Sequence, residues 1–252
     1  RKKISTSNHK NVILLETDLS NIEKHKKKII KFNPKILIHL AWDKIPNFSF
    51  LNCKDNERKT KILINFLCKN TNLSKIIISG SCFEIKPPNK SYNYFKNSKI
   101  NILNFLKKKC LENDIIYNWM RLFYVYGPGQ RKNSIIPFLL NCAKNNQIAN
   151  IKDPNKRHDF IYIDDVCRAV ILTIMNSKNS NIIEIGSGKI TSVNKLLVNI
   201  KKLTNGKLNY KKNNFSKKNT ILKANIKKAK NYINWTPKTK IIDGLKKTIG
   251  AF

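Results

Sequence analysis

The chain has 252 residues, of which 41% are hydrophobic and 9% aromatic. This is enough apolar material for a core of ordinary size, so disorder and collagen-like repetition are excluded for the chain as a whole. No uncharged apolar run reaches the roughly 18 residues of a membrane span. No charged-then-apolar leader stands at the start, so the sequence predicts a cytoplasmic protein without a membrane partner.

The charge is strongly positive. Fifty basic residues against fifteen acidic ones give a formal net charge of +35, which suggests nucleic acid or an anionic surface as a partner. The lysines, however, are scattered over all predicted helices, as expected when an AT-rich genome sets the amino-acid supply. No helix-turn-helix, RNA-recognition signature or basic stripe with interleaved aromatics is present. We therefore predict no specific nucleic-acid partner.

The cysteines and histidines predict no metal site. The six cysteines contain no C-x-x-C pair, and the four histidines show no spacing typical of metal ligands. Cys82, Cys110 and Cys167 lie within or beside apolar stretches. The sequence therefore predicts free thiols, acting as small hydrophobic side chains in a reducing compartment.

Short apolar runs alternate with amphipathic stretches in the first half of the chain. Strands are predicted at 12–15, 36–40, 76–78 and 119–125, and helices at 22–32, 57–69 and 100–111. This alternation predicts βαβ units, hence an α/β fold with a Rossmann-like, doubly wound parallel sheet. Ligands of such sheets bind beyond the carboxyl ends of the strands, where residues 79–81 and 126–129 fall.

The pattern changes after residue 130. We predict a helix at 135–145, a strand at 160–163, a helix through residue 175 and a strand at 182–185. Asp164 and Asp165 stand at the start of the 164–175 helix, where carboxylates are favoured, so capping explains them better than metal binding or acid–base chemistry. Residues 205–219 are polar and rich in lysine, and predict a loop or an irregular strand.

Seven short motifs follow one another in a specific order. They are Asp18-Leu19, Ile-His-Leu-Ala-Trp at 38–42, Ser-Gly-Ser-Cys-Phe-Glu at 79–84, the segments 121–130 and 157–166, Ile-Gly-Ser-Gly at 185–188, and Trp-Thr-Pro at 235–237 followed by Asp-Gly-Leu at 243–245. Each is weak alone, but their order resembles the extended short-chain dehydrogenase/reductase family, in its NAD-dependent epimerase/dehydratase group. The 38–42 and 79–84 motifs are most similar to 4-keto-6-deoxy-sugar reductases.

The resemblance implies an enzyme. It implies an NAD(P)-dependent oxidoreductase or epimerase that acts at C4 of a nucleotide-linked (6-deoxy)sugar, with NAD or NADP as cofactor. It further implies an NAD(P)-binding domain formed by residues 1–130 and 157–186, and a smaller α+β substrate-binding lobe formed by 131–156 and 187–252. By the same resemblance, the predicted helices 57–69 and 100–111 can build a homodimer.

The N-terminus departs from the family pattern. Members of the family open with a strand, a glycine-rich turn that approaches the dinucleotide pyrophosphate, and a helix. All eight glycines of this chain lie at residue 80 or later, so none can form that turn. The chain resembles a fragment that lacks its first βα unit, and we expect cofactor affinity and stability to suffer. Arg1 resembles the residue that holds the adenosine ribose or its phosphate.

The catalytic helix departs as well. The family uses a tyrosine and a lysine four residues later, on one helix face, where the ammonium lowers the phenol pKa from about 10 toward neutrality. An ungapped alignment from residue 121 gives Phe95 and Lys99, without the phenol, whereas the preceding Pro-Pro turn favours Tyr92 and Lys96. We favour Lys99, because it leaves apolar residues on the buried face. Tyr92 or Tyr94 would then supply a displaced phenol.

The resemblance assigns roles near the reacting groups. Ser81 aligns with the residue that hydrogen-bonds the reacting oxygen, although a serine at a strand end can simply cap a loop. Ser79 and Tyr124 correspond to positions beside the cofactor, and Tyr124 to the backbone that meets the nicotinamide. Gln130 and Arg157 resemble substrate-lobe positions. A guanidinium suits a pyrophosphate, although Arg157 can equally be one more surface cation.

Further positions correspond to cofactor contacts. Asp18, with Leu19, resembles the carboxylate that contacts the adenine amine, and it can equally be the N-cap of the helix that follows. Leu40, Ala41 and Trp42 resemble the loop that packs beside the cofactor, although Trp42 can equally be core. Two other functions stay open. Phe95 supports a catalytically inactive paralogue that binds a nucleotide sugar, and the net charge alone supports a nucleic-acid binder.

Overall fold

The computed structural model describes residues 11–213 and 221–251. The strands are β1 (Ile36–His39), β2 (Lys75–Ser81), β3 (Ile116–Leu122), β4 (Tyr124–Tyr126), β5 (Ile148–Ile151), β6 (Arg157–His158), β7 (Phe160–Tyr162), β8 (Asn181–Ile185), β9 (Thr191–Ser192) and β10 (Asn209–Lys212). The helices are α1 (Lys26–Phe32), α2 (Phe50–Asn70), α3 (Asn93–Glu112), α4 (Ile135–Lys144), α5 (Ile163–Asn176), α6 (Val193–Leu203), α7 (Lys227–Ile233) and α8 (Ile241–Gly250). Short 3₁₀ helices lie at Leu19–His25, Cys82–Glu84 and Lys90–Tyr92.

The main sheet is parallel and has the order β1-β2-β3-β8. Helices α2, α3 and α5 connect its successive strands, so the predicted Rossmann-like α/β class is confirmed. The predicted strand 119–125 divides in two at Phe123. There the chain leaves the main sheet, and β4 pairs with β7 instead.

The predicted strand at 12–15 is wrong. This segment has no regular structure, and Val12, Ile13 and Leu14 are more than half exposed. A strand needs a hydrogen-bonding neighbour, and in the described part of the chain β1 ends the sheet, so no strand stands beside it to receive residues 12–15. An apolar run of four residues is therefore not enough by itself to predict a strand.

Side chains alternate between the two faces of the main sheet. Ile76 and Ile78 of β2 pack with Leu63 of α2 and Ile102 of α3. Ile77 faces the other way, into a core with residues of α5 and α7. The predicted helices 57–69 and 100–111 are confirmed but longer, since α2 begins at Phe50 and α3 at Asn93.

A second core joins the C-terminal elements to β4 and β7. Buried residues of α4, β5, α6 and α8 pack with Tyr126 and Phe160. Helix α7 and the buried Trp235 pack with β3 and β8 in the main domain instead, whereas the two-lobe division assigned them to the substrate lobe. The predicted irregular strand in 205–219 is confirmed in part, because β10 pairs with β5. Residues 214–220 lie outside the described residues.

Buried charges hold α5 at both ends. The capping role predicted for Asp164 and Asp165 is wrong, because the N-cap is Tyr162 and no side chain caps the helix. Asp165 accepts hydrogen bonds from the backbone nitrogens of Lys238 (3.0 Å) and Thr239 (2.9 Å), and so ties a distant loop to the helix.

At the other end of α5, the buried Lys75 of β2 caps the last turn. Its ammonium donates to the carbonyls of Ile174 (2.8 Å) and Ser177 (2.9 Å). These are carbonyls that the end of a helix leaves without an intrahelical partner. The cap therefore joins the start of a sheet strand to the end of a helix.

No helix in the described ranges is both long and apolar enough to cross a membrane. All six cysteines are free thiols. Cys53, Cys82, Cys110 and Cys142 are buried, whereas Cys167 is exposed. A small-hydrophobe role therefore does not hold for Cys167.

Candidate functional site

A cavity of about 700 Å³ lies between the main domain and the C-terminal elements. It opens beyond the carboxyl end of β2, where the sequence predicts the ligand. Its wall includes Phe48, Ser81, Phe83, Tyr92, Tyr124, Gln130, Lys156 and His158. The structure thus brings four residues with predicted roles, namely Ser81, Tyr92, Tyr124 and Gln130, to one cavity.

Ser81 ends β2 and also caps the short helix that follows. Its hydroxyl oxygen accepts from the backbone nitrogen of Phe83 at 3.2 Å. Its own backbone nitrogen donates to the carboxylate of Glu84 at 2.6 Å. The hydroxyl proton takes no part in this capping box, so Ser81 can cap the turn and still donate a hydrogen bond to a ligand in the cavity.

Glu84 is a site residue that sequence reasoning missed. It is buried, and its second carboxylate oxygen accepts from the indole nitrogen of Trp119 (2.9 Å) and from the guanidinium of Arg121 (3.1 Å). Gly80 makes room for this arrangement, because a Cβ there would lie 2.2 Å from the Trp119 nitrogen. The Ser-x-x-Glu spacing of a capping box was the signal that could have identified Glu84.

Lys99 is buried on α3 and points to the carboxyl end of β2. Its ammonium donates to the carbonyl oxygen of Ser79 at 2.8 Å and lies 4.5 Å from the ring centre of Trp42. Burial lowers the pKa of Lys99 to about 8, against a smaller opposing effect of the Glu84 charge. Lys96 is only half-buried. The geometry therefore favours the Lys99 register.

Phe95 lies one helical turn before Lys99. It is buried, and its ring contacts Trp42 edge-on at 4.9 Å and Phe48 at 4.7 Å between ring centres. In the Lys99 register this is the position of the family's phenol, so an aromatic cluster fills that position. The buried indole nitrogen of Trp42 has no hydrogen-bond partner among the described residues.

Tyr92 lies two helical turns before Lys99, immediately before α3. Its ring contacts Phe48 at 4.8 Å and Phe83 at 5.0 Å between centres, and it lines the cavity together with Ser81. Tyr94 is half exposed and packs on Phe50, away from that wall. Of the two candidates for a displaced phenol, Tyr92 is the one that lies on the cavity wall that includes Ser81.

The predicted cofactor contacts divide between exposed and packed positions. Leu40 and Ala41 are exposed just beyond β1. Asp18 caps the helix that follows, accepting from Ser20 nitrogen at 2.9 Å, and pairs with Lys59 at 2.9 Å. The hydrogen bond from Ser20, and after it the one from Lys59, holds the pKa of Asp18 below its usual range. Leu19 packs against the core, and the predicted Arg1 contact lies outside the described residues.

His39, at the end of β1, is a further buried group near Lys99. Its imidazole lies 3.1 Å from the hydroxyl of Thr60. Burial, and secondarily the Lys99 charge, lowers the pKa of His39 to about 4. The histidine is therefore neutral near physiological pH.

On the substrate side, Tyr124 stacks on His158 with 3.9 Å between ring centres, and burial raises the pKa of Tyr124. The amide nitrogen of Gln130 donates to the carbonyl of Val125 at 3.0 Å, and its amide oxygen is buried without a partner in the described ranges. Arg157 is exposed and is not part of the cavity wall, whereas its two neighbours are.

Leu40 and Ala41 are exposed just beyond the carboxyl end of β1, and the Lys99 ammonium is buried against the Ser79 carbonyl near the carboxyl end of β2. These are the described residues that would contact the nicotinamide half of a dinucleotide. The first glycine of the chain is Gly80, so the described residues before β2 offer no glycine-rich turn for a pyrophosphate. Within 11–213 and 221–251, no group of three or more His, Cys, Asp or Glu side chains could hold a metal ion.

The chain resembles known proteins in sequence. The model of the NAD dependent epimerase/dehydratase family matches residues 1–186. A UDP-glucuronate 4-epimerase from Thermodesulfobacterium geofontis is 34% identical over 133 residues, which cover 52% of this chain and 41% of that protein. A CDP-abequose synthase from Salmonella muenchen is 31% identical over 129 residues, covering 48% of this chain and 44% of that protein. The matches thus span less than half the length of these two curated relatives.

A longer match and two solved structures extend the likeness. A dTDP-4-dehydro-6-deoxyglucose reductase from Escherichia coli is 27% identical over 244 residues, covering 88% of this chain and 76% of that protein. A Thermotoga maritima UDP-glucose 4-epimerase structure has a TM-score of 0.84 at 21% identity, covering 97% of this chain and 85% of that one. A UDP-N-acetylglucosamine 4-epimerase structure from Methanobrevibacter ruminantium has a TM-score of 0.84 at 22% identity, covering 97% and 84%. At these identities the structures establish the fold.

Proposed function

Because the chain belongs to the NAD dependent epimerase/dehydratase family, we propose that it acts as an NAD(P)-dependent oxidoreductase or epimerase at C4 of a nucleotide-linked 6-deoxysugar. One observation carries the proposal. Ser81 and Tyr92 share the wall of one cavity, at the strand end against which the Lys99 ammonium is buried.

Ser81 and Tyr92 manage the reacting oxygen in this proposal. The Ser81 hydroxyl donates a hydrogen bond to the oxygen at C4. The Glu84 carboxylate keeps the serine in place by accepting from the backbone nitrogen of Ser81. The Tyr92 phenol gives a proton to that oxygen when a carbonyl is reduced, and takes it back in the opposite direction.

Lys99 holds the cofactor end of the site. Its buried ammonium would hold the nicotinamide ribose by a hydrogen bond, and Leu40, Ala41, Ser79 and Tyr124 would be the further residues that contact the cofactor. When bound, the nicotinamide supplies or accepts the hydride. The adenosine contacts predicted for Arg1, Asp18 and Leu19 remain predictions.

The polarity of the cavity favours a 6-deoxysugar. The wall that includes Ser81 also includes Pro46, Phe48 and Phe83, which suit a methyl group at C6. A carboxylate at C6 that packed against these three side chains would lose part of its hydration. The names of two relatives, CDP-abequose synthase and dTDP-4-dehydro-6-deoxyglucose reductase, support the same class.

The proposal is tested by supplying the 252-residue chain with a 4-keto-6-deoxyhexose linked to CDP, UDP or dTDP, together with NADH or NADPH. We expect loss of the reduced-nicotinamide absorbance and formation of the 4-hydroxy sugar. UDP-glucuronate with NAD is the matched control and should give no product. Turnover of the uronate alone would overturn the 6-deoxysugar assignment, and failure to bind any nucleotide sugar would overturn the proposal.

One observation favours a second candidate function. Phe95 stands where the family places its phenol in the Lys99 register. A chain that binds the nucleotide sugar but turns over none of these substrates would be a catalytically inactive binding protein. A homodimer through α2 and α3 remains a prediction.

A further inference from the structure

We infer that Trp42 is a positioning residue for Lys99: the face of its indole ring keeps the buried ammonium charged and holds it beside the Ser79 carbonyl. Trp42 follows β1 and Lys99 lies on α3, so the contact joins two elements that are distant in sequence. The inference deepens the proposed function, in which Lys99 holds the cofactor. Its consequence for cofactor binding rests on that proposal, whereas the charge of Lys99 can be measured without any ligand.

The Lys99 ammonium is buried with few polar partners. It carries three donors, and in the part of the chain that the structure describes it has one hydrogen-bond acceptor, the Ser79 carbonyl at 2.8 Å. The carboxylate of Glu84 forms its ion pair with Arg121 instead. Burial of a charge without an ion-pair partner is costly, so another group has to stabilise the ammonium.

Three aromatic rings face the ammonium. It lies 4.5 Å from the ring centre of Trp42, 5.8 Å from that of Phe95 and 5.9 Å from that of Trp119. A cation within about 6 Å of a ring centre is attracted by the negative face of the ring, most strongly by an indole and most of all where water is excluded. Of these three rings, Trp42 therefore contributes the largest attraction.

Phe95 makes this contact necessary. In the Lys99 register, Phe95 stands where the family places its phenol, and a phenolate there would balance the ammonium charge. A phenyl ring cannot ionise. Phe95 instead meets the ring of Trp42 edge-on, at 4.9 Å between centres and 78° between planes, and so fixes the indole whose face contacts Lys99.

Other effects on the charge of Lys99 oppose one another. Burial lowers the pKa of Lys99 to about 8, and the Glu84 carboxylate on the short helix after β2 acts in the opposite direction. His39, at the end of β1, has a pKa lowered to about 4 by burial and then by the Lys99 charge, so it brings no charge near neutral pH. Trp42 itself excludes water, which lowers the pKa of Lys99, and presents a ring face, which raises it. The sign of its net effect is therefore the test.

The pKa of Lys99 is measured from the ¹³Cε resonance of the lysine, assigned by its absence in Lys99→Met. We expect Trp42→Met, which keeps apolar bulk and removes the ring, to lower this pKa by about one unit. Trp42→Phe keeps a weaker ring and should lower it by about half as much, and it carries the test if the methionine variant does not fold. Phe48→Met is the matched control, because the Phe48 ring packs on Phe95 and not on the ammonium.

The control variant should leave the pKa of Lys99 within about 0.3 unit of its value in the unaltered chain. An unchanged pKa in the Trp42 variants would overturn the inference. A rise would overturn it as well, because it would show that Trp42 acts on Lys99 only by excluding water.

The consequence for the cofactor is tested by fluorescence titration with NADH and NADPH at about pH 6 and about pH 8. At the higher pH, the shift would reduce the charged fraction of Lys99 from about one half to about one tenth. We therefore expect Trp42→Met to raise the Kd about fivefold there and less than about twofold at the lower pH. Equal weakening at both pH values would overturn the action through Lys99. If the unaltered chain bound neither nucleotide, the proposed function would fall, while the pKa measurement would still decide the role of Trp42.

Discussion

The ammonium of Lys99 donates to the carbonyl oxygen of Ser79 at 2.8 Å and lies 4.5 Å from the centre of the Trp42 ring. A residue of α3 is thereby fixed to the strand that ends in Ser81. This bond joins the proposed cofactor end of the site to its reacting end. The buried ammonium also has a lowered pKa, which a measurement of stability against pH can detect.

The buried ammonium makes stability depend on pH. Burial lowers the pKa of Lys99 from 10.5 to about 8, so the unfolded chain binds more protons in that window, and linkage makes stability rise as the pH rises through it. We expect the free energy of unfolding of the unaltered chain, minus that of Lys99→Met, to increase by about 3 kcal/mol between about pH 7 and about pH 11.

Urea unfolding at several pH values measures this difference. Lys96→Met, one turn earlier on the same helix, is the control and should not reproduce the rise, because its side chain is only half-buried. A difference that stays constant for Lys99→Met would contradict the burial of a charged group at this position.

Tyr92→Phe should remove the proton donor and leave the ring packing intact. We expect kcat for the 4-keto-6-deoxy substrate to fall about 100-fold or more, the usual contribution of a positioned acid or base, with a nearly unchanged KM. Tyr94→Phe is the control, because Tyr94 packs on Phe50 outside the cavity. Equal activity of Tyr92→Phe and the unaltered chain would exclude Tyr92 as the donor.

Phe95→Tyr should restore the family's spacing. It places a phenol one helical turn before Lys99, where the ammonium can stabilise a phenolate. We expect turnover to increase in the oxidative direction, because oxidation of the hydroxyl at C4 requires a phenolate as base. If the unaltered chain has low activity, the increase should be at least about tenfold. Product formation from the 4-hydroxy sugar and NAD(P) measures this. No gain in the single variant, or in combination with Tyr92→Phe, would show that the site does not depend on that position.

Glu84→Gln should destabilise the protein. The carboxylate accepts from Ser81 nitrogen, the Trp119 indole and the Arg121 guanidinium, and an amide leaves Arg121 without its counter-charge. We expect a loss of about 3 kcal/mol in urea unfolding. Asp55→Asn removes a surface carboxylate paired with Arg58 at 2.7 Å and with Lys59 at 2.8 Å, and should cost under about 1 kcal/mol. Similar losses for both would contradict the role assigned to Glu84.

The sequence predicted the elements that bury a periodic apolar face. Lys99 could be placed because a helix repeats every 3.6 residues, and the apolar residues after it mark the buried side. Arg157 shows the limit of such predictions. An offset of one residue in a strand moves a side chain to the opposite face, and Arg157 lies outside the cavity wall although both of its neighbours line it. Residues 12–15 show another limit, because an apolar run forms a strand only where a partner strand accepts it. The capping box predicts the contact of Glu84 with Ser81, but not its contacts with Trp119 and Arg121, which are distant in sequence.

The bonds of Lys75 to the end of α5 affect how the protein opens locally. The last turn of a helix ordinarily frays on its own, and its amides exchange with solvent by small local fluctuations. In α5, fraying would leave the buried Lys75 ammonium without the carbonyls of Ile174 and Ser177. The final turn of α5 and the first residues of β2 therefore form one cooperative unit, and their amide protons are expected to exchange together, at a rate set by opening of the sheet.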